Sequence, residues 1–139
     1  MNINGGTMVE IKKILVNIQF DGASLKALEL AKDLAKKYNS QLVVFHEIVD
    51  VYMMKKVATS FGMPVPPDTD EKSKKSALEK IEDLLADFNG DKKVIVDISG
   101  RVKDALPKFV SEEKPDLLII TDDYEYINKK VNVNTLIVK

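Results

Sequence analysis

The sequence contains no cysteine and only one histidine. Disulfides, thiolate chemistry and cysteine-containing metal centres are therefore excluded, and only oxygen-rich metal sites stay open. Neither charge is in excess: 21 Lys and Arg stand against 22 Asp and Glu, a formal net charge of -1. No overall basic field draws such a chain to nucleic acid or to anionic membrane. No stretch approaches the ~20 apolar residues of a membrane span, and the start, MNINGGTMVE, lacks the basic and apolar regions of a signal peptide. A cytoplasmic protein is expected, with residues 1–8 a disordered tail and residues 9–139 a single domain of the commonest size. Glycine is missing where it would matter most, since the last 21 residues, IITDDYEYINKKVNVNTLIVK, contain none.

What is present is an alternation of buried strands and amphipathic helices. Residues 11–19, IKKILVNIQ, form a short apolar run of the kind covered on both faces in a parallel sheet. After the turn Phe20-Asp21-Gly22, a helix is predicted over 23–38 from the spacing of Ala27, Leu30, Ala31, Leu34 and Tyr38, with Asp21 or Ser24 as its N-cap. QLVVFHEIV reads as a second strand, DKKVIVDIS as a third, PDLLIIT as a fourth and VNTLIVK as a fifth. Residues 61–70, FGMPVPPDTD, carry three prolines and are expected to be a surface loop. A second helix is predicted from about residue 71 to 88, burying Ala77, Ile81, Leu84, Leu85 and Phe88 and stopping at Asn89-Gly90. A third is predicted over 101–113, burying Val102, Leu106, Phe109 and Val110, with Asp104 as a cap that would keep Pro107 in the first turn. DDYEYINKK has room for a turn or two of helix. The order predicts an α/β fold: a doubly wound, five-stranded parallel sheet with helices on both faces and a ligand edge outside the carboxyl ends of its strands.

Two stretches carry a resemblance. KKILVNIQFDGASLKALELAKDLAKKYNSQLVVFHEI resembles the opening of universal stress protein domains: a strand, a short polar turn, a Ser-x-x-Ala-Leu helix and a strand ending near a histidine, here His46. ISGRVKDALPKFVSEEKPDLLIIT is similar to that family's later helix and Pro/Ala-Asp-Leu-Ile-Val strand. The resemblance covers most of residues 12–121. It implies a flavodoxin-like, adenine-nucleotide-hydrolase-like sheet in the order 3-2-1-4-5, and dimers formed through the last strand in many members.

The family's ATP-binding branch, as the resemblance supplies it, has an acidic residue at the end of the first strand and Gly-x2-Gly-x9-Gly-Ser/Thr after the fourth. Glycines let backbone amides approach phosphate closely. Here Gln19 holds the acidic position, with Asp21 two residues on. Only the 11 residues 122–132 separate Thr121 from Val133, too few for that motif. Asp122 and Asp123 stand where phosphate would lie, and their charge repels it.

Asp21, Asp122 and Asp123 could hold a hard cation if they converged, but helix capping is the preferred reading. His46, without a serine or cysteine partner, reads as a hydrogen-bonded structural residue, and Gly100 as a turn. Met53, Met54, Phe61 and Met63 read as a flap over the core or the ligand edge, with an adaptable binding surface as the alternative. Lys72, Lys74 and Lys75 read as a solvated helix start, and Tyr124 and Tyr126 as fillers of the space a nucleotide takes in relatives. The expectation is a non-catalytic module with no cofactor and no metal, without conventional ATP binding. It would act in the stress response as a homodimer through the C-terminal strand, or through a protein partner. The alternative is a small-molecule or nucleotide binder using Gln19, Asp21, Val49, Gly100, Thr121 and Asp122.

Overall fold

The computed structural model describes residues 10–98 and 101–139, so the expectations for residues 1–8 and for Gly100 lie outside the described residues. Five strands form one sheet: β1 (Lys13–Asn17), β2 (Gln41–Glu47), β3 (Lys92–Asp97), β4 (Leu117–Thr121) and β5 (Asn134–Val138), in the order β3-β2-β1-β4-β5. All four pairings are parallel, with Val16 opposite Val44 on one side and Ile119 on the other. The expected doubly wound sheet is the one observed.

The continuous apolar runs follow from covering both faces. Alternate side chains of a strand point to opposite sides. Ile14, Val16, Leu42, Val44 and Ile119 enter one core layer, whereas Leu15, Val43, Phe45, Leu118 and Ile120 enter the other. The first layer is closed by the helices α1 (Gly22–Tyr38) and α3 (Thr69–Leu84). The second is closed by α4 (Val102–Glu113) and by a 3-10 segment, Asp122–Lys130, whose Ile127 is fully buried.

Asp21 is the cap of α1, its Oδ1 accepting from the Ser24 amide at 2.7 Å. The buried face of α1 is Ala27, Leu28, Ala31 and Ala35, while Tyr38 is exposed and Leu30 and Leu34 are only half-buried. The face is rotated from the predicted one because alanine lets the helix backbone lie close on the sheet. Lys32, on that same side, donates to the Leu84 carbonyl at 2.8 Å and pairs with Asp87 at 2.7 Å and Glu29 at 2.8 Å. After α3, Leu85 and Phe88 are buried as predicted, although the helix itself stops at Leu84. Gly90 follows because a Cβ there would stand 2.8 Å from the Phe88 ring.

Three expectations are corrected. A helix not foreseen, α2 (Val49–Ser60), follows β2 directly. Met53, Met54 and Val57 project from it and, with Phe61 and Met63 beyond its end, are exposed, so these residues are not a flap over the core. In α4 the cap position is Arg101, without a side-chain bond, and Asp104 lies within the first turn. Pro107 consequently sits inside the helix, where its missing amide leaves the Lys103 carbonyl without the usual helical donor. Residues 122–130 are 3-10 rather than α-helical, two short stretches joined across a kink at Tyr124.

Candidate functional site

The carboxyl ends of the strands gather the residues singled out in the sequence, but not into one site. Gln19 follows β1; its backbone amide donates to Ser24 Oγ at 2.9 Å and its Nε2 to the Glu47 carbonyl at 3.2 Å. These bonds tie the end of β1 to the start of α1 and the end of β2. Gln19 and Val49 then share a cavity of about 440 Å³ between the ends of β1 and β2 and the helices α2 and α3. Asp21, Thr121 and Asp122 do not line it. Asp21 is at the α1 cap and Asp122 is exposed at the other side of the switch between β1 and β4.

His46 also lines the cavity. Its Nδ1 lies 2.9 Å from the Ile18 carbonyl, which can only accept, so Nδ1 carries the proton and Nε2 remains an acceptor when the ring is neutral. Burial pushes its pKa down; the Ile18 carbonyl and Asp50 oppose this and Lys80 adds to it. Phe20 packs on the imidazole at 4.6 Å between centroids, and Lys80 Nζ lies 5.2 Å from the Phe20 ring centroid.

At the switch point the feature that sequence reasoning missed is Asn17. It is fully buried, and neither its amide nitrogen nor its amide oxygen has a hydrogen-bond partner among the described residues. Thr121 Oγ1 is likewise buried and unpartnered there. Only an asparagine directly after the apolar run Ile14-Leu15-Val16 could have signalled this. Asp122, Asp123 and Glu125 occupy the first turn of the 3-10 segment, whose cap position is Thr121. Neither aspartate is itself the cap, so that reading is corrected. No group of three metal-ligating side chains converges among the described residues.

Tyr124 packs half-buried against the second core layer and Tyr126 is exposed. Burial raises the Tyr124 pKa, and the nearby charges of Tyr126, Asp21 and Asp123 add to this. The connection from β4 to β5 is thus a short segment with an acidic first turn, pinned down by Ile127. On the other side, Lys72, Ser73, Ser76 and Lys80 of α3 face the 440 Å³ cavity. Lys72 read from sequence as a solvated helix start, and it stands exposed near the beginning of α3, paired with Asp68 at 3.0 Å.

Comparison with known proteins agrees with this architecture. The sequence model of the universal stress protein family matches residues 10–122. A universal stress protein of Aquifex aeolicus is 27% identical over 96 residues, which cover 68% of this chain and 71% of that protein. Among solved structures, the universal stress protein UspA from Lactobacillus plantarum superposes with a TM-score of 0.72 at 14% identity, covering 95% of this chain and 100% of that one. The universal stress protein from Archaeoglobus fulgidus in complex with dAMP gives a TM-score of 0.62 at 13% identity, covering 95% and 100%. No described helix is long and apolar enough to cross a membrane.

Proposed function

The chain belongs to the universal stress protein family, and from that premise we propose that it acts as a non-catalytic, dimeric regulatory module that does not hold ATP through a glycine loop. The observation that carries this reading is the connection from β4 to β5. A glycine cradle offers backbone amides to phosphate; Asp122–Lys130 instead offers three carboxylates in its first turn and a buried Ile127. Isothermal titration with ATP and magnesium is expected to give no binding heat. Micromolar affinity would overturn the reading.

A second reading is favoured by Asn17. A buried amide without partners costs about 1–3 kcal/mol per unsatisfied group, and a ligand polar group at the β1–β4 switch would recover it. A mononucleotide is the first class to try, given the dAMP complex of the A. fulgidus relative. Asn17→Leu is expected to raise the melting temperature and to abolish any ligand-induced shift. A panel of nucleotides that leaves the wild-type melting temperature unmoved would reject this second reading.

A further inference from the structure

We propose that the cavity between the end of α4 and the connection that enters β5 is a binding site for a small carboxylate with a compact apolar body. Its volume, about 360 Å³, lies within the ~300–1,000 Å³ of small-molecule sites. Pro115 stands just before β4 and Val133 just before β5. The cavity therefore opens at the amino ends of these strands, away from Gln19, His46 and Asn17.

Its rim is cationic and uncompensated. Lys114 and Lys130 both line it, with Ser111 and Asn132, and no carboxylate does. Neither ammonium has a carboxylate within ion-pair distance among the described residues. Of the acids that flank Lys114, Glu113 pairs with Lys13 and Lys93, and Asp116 accepts from the backbone amides of Lys12 and Lys13. Two like charges sharing a cavity repel each other. An anion between them replaces that repulsion with two attractions, and the Ser111 hydroxyl and the Asn132 amide are further donors to it.

Lys114 supplies a second, independent sign. It ends α4 in the left-handed region, at φ 50°, where glycine is the usual residue because a Cβ is disfavoured. Its backbone amide donates to the Val110 carbonyl at 2.9 Å, a bond that glycine would make equally well. Only the side chain distinguishes lysine here, and a residue held in a disfavoured conformation points to function.

The floor and the helix end set the ligand class. Val110 and Pro115 are buried beneath the exposed rim and offer apolar surface to a hydrocarbon body. The carboxyl end of α4 carries partial negative charge, which penalises a doubly charged phosphate ester more than a carboxylate.

Hexanoate is the probe, with hexanamide as its neutral match and hexyl phosphate as its dianionic one, each followed by amide chemical-shift titration of the full chain. Hexanoate is expected to saturate, with shifts centred on residues 107–115 and 130–133, and hexanamide is not. Lys130→Ala is expected to weaken hexanoate about fivefold. Lys114→Gly should weaken it to a similar degree while raising the denaturant midpoint, which separates loss of the ammonium from loss of the fold. Asn17→Leu should leave hexanoate binding unchanged. Non-saturating shifts, equal affinity for hexanamide, or an affinity indifferent to both lysine substitutions overturn the proposal. Tighter binding of hexyl phosphate than of hexanoate overturns the carboxylate class.

Discussion

His46 shows how a single residue links packing to pH. Burial makes its imidazolium unfavourable, and the Lys80 charge works in the same direction against the Ile18 carbonyl and Asp50. Its folded pKa is therefore below the ordinary 6.5, so the unfolded chain takes up the proton first as pH falls. Stability is full above that value and is lost as pH drops from it toward the folded pKa. Asp87 and Glu113 are also shifted down, by hydrogen bonds from Lys32 and Lys93 respectively, but from ordinary values of 3.8 and 4.5. Their loss comes later in acid, which leaves the histidine limb separable. The urea midpoint is expected to fall between about pH 7.5 and about pH 5.5, and His46→Gln to remove that slope. A wild-type midpoint constant across that interval would contradict the assignment. The structural role of His46 was readable from its isolation on an apolar strand. Asn17 was not, because the cost of an asparagine depends on what surrounds it.

At the scale of elements, what the sequence concealed was α2. Its first residues follow β2 without a polar cap, since the cap position is Ile48 with no side-chain bond. Its apolar residues Met53, Met54 and Val57 face outward, so the usual periodic contrast between a buried and a solvated side is blurred. The ends of α1 and α4 are instead set by local chemistry. Asn39 and Lys114 both take left-handed backbone conformations, at φ 54° and 50°, to return the chain toward the sheet. Asparagine tolerates that region, whereas lysine meets a Cβ penalty of about 1 kcal/mol. Lys114→Gly is therefore expected to stabilise the protein by about 1 kcal/mol, measured by denaturant unfolding, with no change of fold. A loss of stability would show that the lysine side chain outweighs the backbone term.

For the whole molecule the decisive question is which sheet edge is open. Both β3 and β5 are edges. β3 begins with exposed Lys92 and Lys93, the charged protection typical of edges that do not pair. β5, NTLIV, has no charge, and its Leu136 is 37% exposed. Antiparallel pairing of β5 with its copy would be isologous about a twofold axis. Light scattering is expected to give twice the chain mass, and Leu136→Lys, which sets two like charges near that axis, to give the monomer mass. A wild-type monomer at high concentration would reject the dimer.

The sequence by itself determined the parallel sheet, its order of elements and the absence of a glycine loop after β4. These depend on apolar runs, helical spacing and the number of residues between neighbouring elements, all of which are local along the chain. Only the tertiary structure decided that Asn17 is buried without partners among the described residues, and that Lys72 and Lys80 share a cavity with Phe20. Each of those arises from residues distant in the chain being brought face to face, and no local pattern encodes what stands opposite.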